Sequence, residues 1–166
     1  LDLEHIGVAG HSFGGFTSVW MADNDPRVKA IAPMAGVAET CQNVTLPAMA
    51  LLATEDATLG LERTDAIRKF YDARKGPAYS IEFKNAGHYS FTEMYQLNPN
   101  FGDGVGKGKH LASGEPMDYI ARETSFHLIN AYTTAFFGKF LKGQTGYDPY
   151  LEANHDPKEL DVKWKR

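Results

Sequence analysis

The segment Gly10-His11-Ser12-Phe13-Gly14-Gly15 constrains this chain more than any other. A flat apolar run, Ile6 to Ala9, leads into it, and a helix-like stretch, Gly15 to Ala22, leads out toward Asn24-Asp25-Pro26. Apolar residues without alternation suit a strand covered on both faces, as in a parallel sheet. A strand that breaks at Gly-His-Ser-Phe-Gly and turns at once into a helix has the context of a nucleophile elbow. The turn is tight, so Gly10 and Gly14, two before and two after Ser12, are expected to be required small residues. Ser12 would then project from the sheet edge at a helix N-terminus. The backbone N–H of Phe13 would point at an oxyanion developing on a bound carbonyl. His11 is the elbow's variable position and is expected to line a cleft or to pack.

The rest of the chain continues the strand–helix alternation. Val28 to Ala32, Ala48 to Ala53 and Tyr79 to Phe83 read as strands. Glu62 to Ala73 reads as a helix, with Ile67, Phe70 and Tyr71 at helical spacing. Asn98 to Gly114 is Gly-rich and aperiodic and reads as one long loop. Met117 to Leu141 reads as the longest helix, stopped by Gly143. Residues from Gln144 onward read as a polar tail, with Asp148-Pro149 and Asp156-Pro157 as turns. Four strands are visible, which predicts an α/β fold with a mainly parallel sheet and flanking helices.

A lone serine is a poor nucleophile; it needs a base, and the base needs an acid to orient it. The strand Ala48–Ala53 is followed by Thr54-Glu55-Asp56, and the strand ending at Phe83 by Lys84-Asn85-Ala86-Gly87-His88. Catalytic groups collect at the carboxyl ends of parallel strands. Ser12, a carboxylate and His88 fall there in the order serine, acid, histidine that such sheets use. Asp56 is preferred over Glu55 as the acid. His5, His110, His127 and His155 have no partner at metal spacing and read as surface or core residues.

Composition narrows the alternatives. The 166 residues carry 17 Lys plus Arg against 21 Asp plus Glu, a net charge of −4. That balance argues against a nucleic-acid partner bound through a basic face. No apolar run is long enough for a membrane-spanning helix. The single cysteine, Cys41, excludes an internal disulfide and an all-cysteine metal site, and it reads as a packed or loop thiol. The Lys residues in Phe101–His110 do not stand at Walker spacing, so that stretch reads as a cleft border rather than a phosphate cradle.

The elbow GHSFGG, the strand followed by TED, the loop NAGHYSFTEM, the GDG stretch after it and the terminal AFFGKFLKG with Tyr150-Leu151 together resemble the C-terminal half of an α/β-hydrolase. The similarity is to dienelactone hydrolases related to platelet-activating-factor acetylhydrolase, with cutinase-like polyester hydrolases as near neighbours. It implies a partial hydrolase domain over residues 1–143 and a tail over 144–166. It also implies Ser12 as nucleophile, Asp56 as acid, His88 as base and the Phe13 amide in an oxyanion hole, with no metal or organic cofactor. The implied activity is hydrolysis of a small ester or a polyester, and Phe13, Phe16, Tyr89 and Phe91 are candidates to favour acyl or aryl groups.

Such hydrolases carry further strands ahead of the elbow, one of whose loops supplies a second oxyanion donor. The chain opens at the strand just before the elbow, so that half is expected to lie outside it. A sheet that starts there exposes an unpaired edge. The expected partner is a second copy of the chain or the missing half, and the alternative to an active enzyme is a weak or inactive hydrolase half that associates.

Overall fold

The structure, a computed structural model, describes residues 2–38 and 40–166. The chain runs β1 (Ile6–His11), α1 (Phe13–Asn24), β2 (Val28–Met34), β3 (Ala48–Ala53), α2 (Gly60–Ala73) and β4 (Ala78–Phe83). A 3-10 turn (His88–Phe91), α3 (Met94–Leu97), β5 (Lys107–Lys109) and β6 (Pro116–Asp118) follow. The long helix α4 (Arg122–Lys142), a second 3-10 turn (Thr145–Tyr147), α5 (Asp148–Leu151) and β7 (Leu160–Lys165) complete it. The main sheet has the order β1-β2-β3-β4-β7. The first four strands are parallel, and β7 pairs antiparallel to β4 with Ile81 opposite Val162. This is the expected α/β architecture.

The strand β3 explains why the sheet has helices on both sides. All six of its residues are buried, and successive side chains of a strand point to opposite faces. Ala48, Ala50 and Leu52 pack with Val19 and Ala22 of α1 and Ile67 and Phe70 of α2. Met49, Leu51 and Ala53 pack with Leu128, Tyr132 and Phe136 of α4. A run of six apolar residues therefore needs two layers of cover, and α1, α2 and α4 supply them. Among the described residues, no helix is long and apolar enough to cross a membrane.

Four readings change. Residues 144–166, expected as a polar tail, contain α5 and β7, and Leu160 is fully buried against the sheet. The strand was masked by the charges that alternate with Leu160, Val162 and Trp164, a pattern suited to an edge strand. The Asn98–Gly114 loop contains β5, which pairs with β6 as a hairpin. That pairing delays the long helix from Met117 to Arg122, since Met117 is opposite Gly108. Finally, β1 is covered less fully than β3: Ile6 and Val8 pack on the α1 and α2 side, while Gly7 and Ala9 stay exposed although Phe137 and Leu141 of α4 reach over Gly7.

Candidate active site

The carboxyl ends of β1, β3 and β4 lie on the same edge of the sheet, with β2 between β1 and β3, and each continues into a segment that carries one of the candidate side chains. At β1 the chain reverses over a single residue. Ser12 has φ 55 and ψ −116, a backbone setting that non-glycine residues rarely adopt. Its N–H donates to the Met34 carbonyl of β2 at 2.8 Å, and its own carbonyl accepts from Gly15 at 2.9 Å as α1 begins. The turn leaves no room at Gly10, where a Cβ would stand 2.4 Å from the Gly14 carbonyl oxygen. Gly14 differs from expectation. A Cβ there meets nothing within 4 Å, because that position faces open space rather than the turn.

Ser12 Oγ lies 2.9 Å from His88 Nε2. On the other side of the ring, His88 Nδ1 lies 2.9 Å from Asp56 Oδ2 and 3.1 Å from Oδ1. His88 and Asp56 are buried, at 2% and 1% exposure, whereas Ser12 is only half-buried. The serine is thus open to a reactant while the two groups behind it are shielded from water. The Asp56 carboxylate also accepts the Leu59 N–H at 2.8 Å, which fixes its orientation.

Glu55, the other candidate acid, points elsewhere. Its carboxylate meets His110 Nδ1 at 3.1 Å and accepts the Leu111 N–H at 2.7 Å, so it anchors the β5–β6 hairpin. His110 therefore has a partner that sequence spacing did not reveal.

His11 both packs and positions. Its ring centroid is 4.6 Å from that of His88 and 6.1 Å from that of Phe91. Its Nε2–H donates to the His88 carbonyl at 2.8 Å, the only role a carbonyl partner permits. Burial, followed by the neighbouring His88, holds the His11 imidazole below its ordinary value and favours its neutral form.

Phe13 is the first residue of α1, so its N–H belongs to the set that has no acceptor within the helix. Its side chain is 81% exposed. Phe91 is a core residue, in edge contact with Phe83. Tyr89 is half-buried and borders a cavity of about 360 Å³ together with His11, Thr92, Met94 and Leu97.

Cys41 is a half-buried loop thiol without a disulfide partner. Arg74 Nη1 donates to its sulfur at 2.9 Å, and burial pushes the thiol up. It lies outside the Ser12 cluster.

Asp103 is the residue that the sequence reading did not single out. Its carboxylate accepts from the backbone of Ala57, Thr58 and His88. The GDG stretch was the only available signal.

Among solved structures, a ferulic acid esterase from Streptomyces cinnamoneus is similar, with a TM-score of 0.72 at 21% sequence identity. The match covers 100% of this chain and 48% of the esterase chain, so the protein spans about half that length. At this identity the likeness is one of fold. A comparison with curated proteins finds no match. A protein-family profile described as PET hydrolase-like matches residues 1–102. That match takes in the elbow, the Asp56 turn and the His88 loop, well over half of the 166 residues, and the chain belongs to the PET hydrolase-like family of the α/β-hydrolase superfamily.

Proposed function

We propose that this protein is a serine carboxylic-ester hydrolase that works through an acyl-enzyme. The observation that carries the reading is the unbroken chain from Ser12 Oγ to His88 Nε2 and from His88 Nδ1 to Asp56, both links at 2.9 Å. His88 takes the Ser12 proton as Oγ attacks the ester carbonyl. The Phe13 N–H stabilises the tetrahedral oxyanion. Collapse breaks the bond to the alcohol oxygen, which leaves with the proton from His88. Water then attacks the acyl-enzyme, gives a proton to His88, and frees the acid as Ser12 recovers its hydrogen. Asp56 keeps the proton of neutral His88 on Nδ1 and stabilises the imidazolium.

The substrate class is an acyl or polyester ester. The cavity beside His11 and Tyr89, at about 360 Å³, is large enough for one such unit. Tyr89, Met94 and Leu97 offer it apolar and aromatic contact. The similar solved structure is a ferulic acid esterase, a name that fits an aryl acyl group.

One oxyanion donor is weaker than two: losing a donor typically costs about 10²–10³ in turnover. Among the described residues β1 has one strand neighbour, β2. A further strand on the open edge of β1 would complete the site. It would come from a second copy of this chain or from additional sequence such as the longer esterase contains.

The test is a short p-nitrophenyl ester together with a fluorophosphonate probe, run beside Ser12→Ala. Labelling and turnover that vanish in the variant are expected. A wild-type protein that neither labels nor turns over overturns the reading.

A further inference from the structure

We infer that Asp103 is a positioning residue that holds the Asp56 turn and the His88 loop in register, an inference that rests on the Ser12–His88–Asp56 reading. One carboxylate spans both segments. Oδ1 accepts the Ala57 N–H and the His88 N–H, each at 3.0 Å. Oδ2 accepts the Thr58 N–H at 2.9 Å and the Thr58 hydroxyl at 2.5 Å. The Asp103 carbonyl takes a fifth contact, the Tyr89 N–H at 2.8 Å. The partners are the two residues after Asp56, His88 itself and the residue after it.

The roots of the two segments are already joined. Glu55 N donates to the Ala86 carbonyl at 2.9 Å, and Asn85 N donates to Thr54 Oγ1 at 3.0 Å. Those contacts lie ahead of the functional side chains. Beyond them the chain could swing, and Asp103 closes the arrangement on the far side. Four donors on one carboxylate is a charge-assisted set, stronger per bond than neutral pairs.

The surrounding backbone is shaped for this contact. Gly102, Asp103 and Gly104 have φ of 81, 45 and 110, three successive left-handed settings. The two glycines take such settings freely, so the cost falls on Asp103 alone, and it persists where neighbouring contacts over-determine it. The loop also lies directly on the His88 segment: a Cβ on Gly87 would stand 2.3 Å from Gly104 N, and one on Gly104 would stand 2.5 Å from Ser90 N. The Ser90 hydroxyl donates to the Gly104 carbonyl at 3.0 Å. The GDG loop therefore acts as a brace against two active-site segments that lie 32 residues apart in the chain.

The proposal predicts a kinetic effect separable from folding. In Asp103→Asn the shape is kept, but the amide must turn its NH₂ toward one pair of donors. A displacement of about 1 Å in a reacting group can cost about 10²-fold. The expected result is a fall of about that size in kcat, with KM and thermal midpoint near wild type. The proton on His88 Nδ1 gives a second readout that does not depend on turnover. Hydrogen-bonded to Asp56, it should show a far-downfield NMR resonance in wild type that moves upfield or broadens away in Asp103→Asn. Thr58→Val, which removes one contact on Oδ2, should produce a smaller change in both readouts. It decides the matter if Asp103→Asn does not fold.

A resonance and kcat unchanged in the folded variants overturn the inference. So does activity lost only in proportion to unfolded protein. A wild-type resonance that Asp103→Asn abolishes, in a protein inert to fluorophosphonate, supports the brace and overturns ester hydrolysis.

Discussion

Asp56 and His88, 32 residues apart, meet through a carboxylate oxygen 2.9 Å from the ring nitrogen, whereas Glu55, one residue earlier, turns away to His110. Successive residues leave a strand end on different sides, so two adjacent carboxylates acquire different partners. Asp56→Asn should therefore lower kcat by about 10⁴, the size expected when a triad histidine loses the acid that sets its tautomer. Glu55→Gln should leave kcat near wild type and loosen the β5–β6 hairpin instead. Turnover of a p-nitrophenyl ester by both variants checks this, and equal losses would refute the assignment of Asp56.

The two elbow glycines should respond differently. Gly10→Ala drives a Cβ into the Gly14 carbonyl. It should cost about 1–3 kcal/mol by overpacking and abolish probe labelling. Gly14→Ala places its methyl in open space within the first turn of α1. It should be neutral, or gain up to about 1 kcal/mol from helix propensity. Urea unfolding of the pair is the measurement, and a Gly14→Ala loss as large as that of Gly10→Ala would contradict the elbow geometry.

His11 should make the fold acid-sensitive. Burial and the adjacent His88 disfavour its protonation in the folded state, so the unfolded chain binds that proton more readily. Stability then rises with pH in this region. The His11 contribution is complete above its ordinary value of 6.5 and is lost as pH falls through 6.5 toward the lower folded value. His11→Gln keeps a donor for the His88 carbonyl but removes the titration. Its thermal midpoint should fall less steeply than that of wild type between about pH 7.5 and about pH 5. Parallel curves would assign the acid sensitivity to other groups.

Leu160 tests whether the C-terminal segment belongs to the fold. It is fully buried opposite Phe83. Leu160→Ala should cost about 2–5 kcal/mol, the usual range for emptying such a site. A loss indistinguishable from a surface substitution, by the same urea assay, would mean that β7 contributes little.

The two proposed sources of a further strand beside β1 give different masses. Pairing between copies would give a light-scattering mass above that of one copy, because an unpaired edge strand is a template for another strand. A monodisperse monomer would favour additional sequence over pairing between copies.

The elbow, the acid and the histidine were legible in the sequence because each is a local signal. An apolar run must end before a Gly-Ser-Gly turn can form, and polar residues just past a buried strand stand at its carboxyl end. Ser12, Asp56 and His88 could each be named from a few neighbouring residues. The late start of the long helix at Arg122 and the strand β7 within 144–166 are not legible there, because the deciding contacts are distant. Met117 is held by Gly108 across a hairpin, and Val162 by Ile81 across the sheet. Propensity in a short window carries no record of either pairing.

The sequence by itself determined the α/β alternation, the places of β1 to β4 and the order serine, acid, histidine. These follow from hydrophobic period and turn chemistry, which act over a few residues. Tertiary structure alone decided that Glu55 turns to His110 and the β5–β6 hairpin, that Asp103 meets both the Asp56 turn and the His88 loop, and that β7 pairs antiparallel to β4. Those outcomes depend on which backbone donors and acceptors are brought within about 3 Å by packing of distant segments, and a hydrogen bond weakens steeply beyond that reach.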